Sequence, residues 1–111
     1  IYGGINDMFS YVNIDSAVSN VQKMVDIVNA KGSKAVVVLG YNANIISQDW
    51  IKDKILEQRC KDKYTEYQNK LKNIKNATII PVIHLKSSDL YDGLHPNQSG
   101  FIKIFNVIKN Y

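Results

Sequence analysis

At 111 residues, 45% hydrophobic and 22% charged, the chain has the size and composition of one small globular domain with a modest core. The single cysteine, Cys60, excludes an internal disulfide, and no apolar run approaches the length that crosses a bilayer. The net charge of +4 raises nucleic acid as a partner, but aspartates and glutamates interrupt the lysines between Lys52 and Lys75, the pattern of a solvated helix face rather than a phosphate track.

In chain order, Ile1-Tyr2 reads as the tail of a strand that ends at Gly3-Gly4, whose glycines allow a sharp exit toward Asn6. A helix follows over about Asp15 to Lys31. Ile14, Ala17, Val18, Val21, Met24, Val25 and Val28 recur at three- and four-residue spacing and predict one buried stripe with Met24 in the core; Asn13 or Asp15 can cap the start, and Gly32 marks the end. Lys34 to Gly40 predicts a strand whose continuous β-branched run suits a parallel sheet covered on both faces. Gly40 to Asn44 is then a loop at the strand's C-terminal end. Ser47 can cap a long helical region running to about Asn73, with a break near Arg59 left open. Within it Cys60, Tyr64, Tyr67, Leu71 and Ile74 keep a steady helical spacing, the tyrosines as core-edge residues with wet hydroxyls. Cys60 has no Cys-x-x-Cys neighbour and reads as structural. Ala77 to Ile83 is a third strand, in which Pro81 points to a sheet edge or a bulge, and a last helix runs from about Pro96 to Lys109 with Phe101, Ile102, Ile104, Phe105 and Ile108 on a broad apolar face. Strand–helix–strand–helix–strand–helix predicts an α/β domain with parallel strands.

One stretch carries chemistry. In Asp92-Gly93-Leu94-His95-Pro96-Asn97, followed by Gly100-Phe101, an acid and a histidine stand three apart in a Gly/Pro turn ahead of a helix. A carboxylate at that spacing can accept the imidazole Nδ1 proton, fix the tautomer and leave Nε2 to take a proton from a nucleophile. Pro96 suits the first helical position, and Gly100 removes a side chain where the helix would lie close to a strand. The same residues also read as a surface turn with a helix cap.

The longer string resembles the final block of the SGNH (GDSL-type) serine hydrolases, and Gly3-Gly4-Ile5-Asn6-Asp7 resembles that family's Gly-x-Asn-Asp block. The resemblance implies a three-layer, flavodoxin-like sheet of order 2-1-3-4-5, of which this chain would supply strands 3-4-5. It implies ester hydrolysis through a Ser-His-Asp triad: His95 as general base, Asp92 as its orienting acid, Asn6 as an oxyanion-hole donor, no cofactor, and a small-molecule, carbohydrate or lipid ester as substrate. Tyr41 and Asn44 would fall in a loop that shapes the substrate pocket, although a plain connector fits them equally well. The family's Gly-Asp-Ser block is missing from the sequence, so the chain reads as the C-terminal part of the domain, associating with its N-terminal portion or with another copy. Ser10, Ser16, Ser87, Ser88 and Ser99 are stand-in nucleophiles by residue type only. With its start reading as truncated, the compartment stays open between cytoplasmic and secreted. Two other readings remain: a metal site built from His84, Asp89, Asp92 and His95, and a non-catalytic module that pairs through an open sheet edge.

Overall fold

The computed structural model describes residues 1, 13–47 and 53–111. These residues form an α/β arrangement of three helices, α1 (Ile14–Ala30), α2 (Lys54–Leu71) and α3 (Gln98–Ile108), around a small parallel sheet of β1 (Val36–Val38) and β2 (Thr78–Ile80). Short 3-10 turns at Ala43–Ile45 and Ser87–Asp89 follow the two strands.

The β-branched run at 36–38 pairs in register with Thr78, Ile79 and Ile80, and an isolated parallel bridge between Tyr41 and Ile83 continues the same offset past the strand ends. Ile1 lies along the other edge of β1. Its nitrogen donates to the Val36 carbonyl at 2.6 Å and its carbonyl accepts from the Val38 amide at 2.8 Å, the pattern of a parallel ladder. The neighbouring Leu39 amide points the opposite way, to the Ile80 carbonyl, so the order in space is Ile1, β1, β2. Val37, Val38 and Ile80 are buried, as expected for strands covered on both faces.

The Asn13 side chain caps α1 by accepting from the Ser16 amide, and α1 buries Ala17, Val21 and Val25. Met24 is 43% exposed rather than core, so the buried face of α1 is narrower than the apolar stripe. For α2 the cap is Asp53, while the expectation that Ser47 caps the helical region depends on residues 48–52, which lie outside the described residues. The Asp53 carboxylate accepts from the Ile55 and Leu56 amides. The helix passes through Arg59 without a break. All five residues of the Cys60-to-Ile74 stripe are buried, and Tyr64 and Tyr67 lie fully inside rather than at a wet core edge. The turn after α2 is clipped to α1 by Gln22, whose amide group exchanges hydrogen bonds with the Lys75 backbone in both directions.

α3 starts at Gln98 with Asn97 as cap, so Pro96 stands outside the helix, where its backbone bridges to Leu90 instead. Of the broad apolar face only Ile104 is buried; Phe101, Ile102 and Phe105 are exposed. Gly100 does make a close approach, though to a turn rather than a strand: a Cβ there would sit 2.5 Å from the Asp89 carbonyl oxygen.

Gly40 combines φ of +98° with crowding, since a Cβ would meet the Tyr64 hydroxyl at 2.1 Å, whereas Gly32, at φ +81°, faces open space. Gly32→Ala should cost about 1 kcal/mol, from the left-handed backbone alone. Gly40→Ala should cost about 3 kcal/mol, because overpacking adds to the same strain. Urea unfolding of both variants separates the two contributions, and equal losses would show that Tyr64 simply moves aside.

Candidate active site

The site is a turn held by one carboxylate. Asp92 Oδ1 accepts from the Leu94 amide at 2.9 Å and the His95 amide at 2.6 Å, and Gly93 supplies the positive φ (+80°) that lets the chain fold back on the acid. Asp92 Oδ2 lies 2.5 Å from His95 Nδ1. Both oxygens are therefore engaged, one fixing the backbone and one fixing the ring. The antiparallel bridge of Leu90 to Pro96 and the hydrogen bond from the Tyr91 amide to the His95 carbonyl (3.0 Å) close the base of the turn.

Two anchors tie this turn to the loop that follows β1. The buried Tyr41 hydroxyl donates to the Leu94 carbonyl, and the Ser47 amide donates to the Gly93 carbonyl at 2.9 Å. Tyr41 is in turn positioned from α2, where the buried Gln68 amide donates to the Leu39 and Tyr41 carbonyls at 2.9 and 2.8 Å. Asn42 joins the two loops through paired bonds with the Leu85 backbone. The site thus lies where the loops after both strands meet, beyond the C-terminal ends of a parallel sheet.

Burial pushes the Asp92 carboxyl up, but the hydrogen bonds from the His95 amide, the imidazole and the Leu94 amide together outweigh it and hold the group below the usual aspartate range. An ionised Asp92 requires Nδ1 to carry the ring proton. Among the described residues none hydrogen-bonds Nε2, and the side chain is 42% exposed, so Nε2 is accessible to accept a proton. The Tyr91 ring stacks on the imidazole.

A second carboxylate stands behind the turn. Asp89, nearly fully buried, accepts from Lys103 Nζ at 2.7 Å and the Lys86 amide at 2.8 Å, with the Ser99 hydroxyl 2.7 Å away. Its backbone carbonyl accepts from the Asn97 amide at 2.8 Å, so Asp89 locks the start of α3 against the end of the site turn. Lys103 first, then the Lys86 amide and the Ser99 hydroxyl, draw its pKa down to about 2.

The other sequence candidates divide. Tyr41 is 1% exposed, so it supports the turn from below instead of lining a pocket, and the exposed Asn44 accepts from Asn42 Nδ2 at 2.8 Å. Asn6 and Ser10 lie outside the described residues. Of the described serines, Ser99 faces Asp89, and Ser16, Ser87 and Ser88 make no hydrogen bond to His95. His84 borders an open groove of about 410 Å³ beside Pro81, Val82, Lys103 and Val107, apart from Asp92 and His95. Among the described residues no group of three or more His, Cys, Asp or Glu side chains converges on one point, because Asp89 and Asp92 serve different partners. Asn42, Gln68, Asp89 and Tyr91 were not singled out as supports by the sequence. Only Tyr91 carried a local signal, as the aromatic residue immediately before the acid.

No family model matches the chain, and neither does any curated protein or solved structure.

The depressed Asp89 pKa implies a pH window. In the unfolded chain the group takes up its proton near pH ~4, and in the folded chain only near 2, so its stabilisation is complete above about pH 4 and is lost as pH falls toward 2. Asp89→Asn should be less stable than the parent at pH 7, with the difference shrinking as pH falls from about 4 through about 2. Urea midpoints measured across this range check it, and a difference independent of pH would show that the carboxylate's charge is not what matters.

Proposed function

We propose that this chain carries the base and oxyanion parts of a serine hydrolase that cleaves acyl esters. The observation that carries the reading is the Asp92–His95 pair: an acid with one oxygen tied to backbone amides and the other to Nδ1, leaving Nε2 accessible. His95 takes the proton of a serine hydroxyl as the serine attacks the ester carbonyl, then returns it to the departing alcohol; Asp92 holds the tautomer and supports the imidazolium between the two steps. Asn6 donates its side-chain amide to the tetrahedral oxyanion, an interaction worth about 3 kcal/mol in sites of this kind. The nucleophile comes from a Gly-Asp-Ser block on a segment other than these 111 residues. In this reading Ile1, β1 and β2 are strands 3-4-5 of a flavodoxin-like sheet, and their order in space and parallel pairing are what that assignment requires.

A second reading, a non-catalytic module that pairs with another chain or copy, is favoured by one specific observation: α3 exposes Phe101, Ile102 and Phe105 together.

The chain alone should neither hydrolyse a short-chain ester nor react with a serine-directed fluorophosphonate. Joined to a Gly-Asp-Ser-bearing segment it should do both, with the label on that added segment. In the joined protein His95→Ala should abolish nearly all turnover, since serine is a weak nucleophile without its base. Asn6→Ala should lower kcat by about 10²–10³ with a smaller change in KM. Labelling of a serine within the chain by itself, or activity indifferent to both substitutions, would overturn the assigned roles.

A further inference from the structure

The Tyr91 ring is 70% exposed, yet it lies over the His95 imidazole, with centroids 5.8 Å apart and planes 24° from parallel. The two residues face each other across the short antiparallel pair that closes the turn: Leu90 bridges Pro96, and the Tyr91 amide donates to the His95 carbonyl. Residues directly opposite in such a pair project their side chains to the same side, so the stack is built into the backbone. The imidazole needs a restraint of this kind. Its side chain is 42% exposed, so core packing does not immobilise it. The one hydrogen bond its ring makes to a described residue, to Asp92 Oδ2, fixes a distance but still allows the ring to swing about the Nδ1–Oδ2 line. A flat surface against one face of the ring opposes that swing.

We propose that Tyr91 is a positioning residue for His95, holding the imidazole plane so that the Nδ1–Asp92 bond stays closed and Nε2 keeps one direction. Its catalytic consequence rests on the hydrolase reading; the restraint itself does not, and it can be measured without turnover. The ring face performs the work and the phenol hydroxyl does not, so Tyr91→Phe should behave as the parent does.

The test is proton NMR of the ¹⁵N-labelled chain, following exchange of the His95 Nδ1 proton with water, which requires the bond to Asp92 to open. Tyr91→Ala and Tyr91→Leu should speed this exchange about two- to tenfold, the range expected from losing one aromatic pair, while Tyr91→Phe leaves it unchanged. The backbone spectrum of α2 verifies that each variant is folded. Parent-like exchange in Tyr91→Ala would overturn the proposal, and parent-like exchange in Tyr91→Leu would show that bulk rather than a flat face is sufficient, which also overturns it. In the joined hydrolase, Tyr91→Ala should lower kcat by a similar factor at unchanged KM, with Phe restoring it; an unchanged kcat would refute the positioning role. If the joined parent shows no turnover at all, the hydrolase reading fails, and the exchange measurement still decides whether Tyr91 restrains the ring.

Discussion

The hydrogen bond from the buried Tyr41 hydroxyl to the Leu94 carbonyl is the contact on which the site depends. Tyr41 continues the β1–β2 ladder through its bridge to Ile83, so its backbone is fixed by the sheet. Gln68 fixes the same stretch from α2 by bonding the carbonyls on either side of Gly40. The hydroxyl then reaches across to the turn that carries Asp92 and His95. A position set by sheet and helix is thereby passed to a loop, which has no ladder of its own to hold it. A buried carbonyl left without that donor would cost about 1–3 kcal/mol, so the contact also selects one conformation of the turn over its alternatives.

The two aspartates share a form and differ in task. Asp89 and Asp92 each use the side chain to organise a local turn by accepting backbone amides two or three residues away; Asp92 engages His95 with its other oxygen, whereas Asp89 accepts the Lys86 amide and Lys103 on the same oxygen, Oδ2, and the Ser99 hydroxyl on Oδ1. Asp89 spends its charged interaction on Lys103 and is nearly closed to solvent. Asp92 spends it on a titratable ring that stays partly open, the arrangement a proton relay requires. Asp89 is the structural counterpart: it pins the start of α3 beside the turn, its carboxylate held by Lys103, the Lys86 amide and Ser99.

How much of this was legible in the sequence follows from the range of each interaction. The stripe from Cys60 to Ile74 was visible because helical burial is periodic, and the Asp92–His95 pair because its partners lie three residues apart. Asp53, the cap of α2, does not stand out in the sequence because Ser47 has equally good capping chemistry. For Tyr41 the sequence leaves a pocket wall and a plain connector equally open, because its actual partner, Leu94, is 53 residues away. Met24 and the outer residues of α3 show the same limit from the other direction, since periodicity marks which residues are apolar without telling which neighbours cover them.

Full burial of a side chain such as Phe or Ile stabilises by about 1.5–3 kcal/mol, and α3 leaves most of this unrealised at Phe101, Ile102 and Phe105. Lys109 reaches over the Phe105 ring at 6.0 Å, which shields one aromatic face partly and the others hardly at all. Meanwhile the Asp92–His95 pair is internally complete, each atom of the carboxylate engaged and the ring oriented. A hydrolase half would show this combination: relay chemistry finished by local bonds, next to an apolar helix face whose cover, like the serine, is supplied by the rest of the domain. An autonomous pairing module would need the apolar face but has no use for a carboxylate that orients an accessible imidazole. The pair therefore favours the hydrolase reading over the module, while the exposed face fits both.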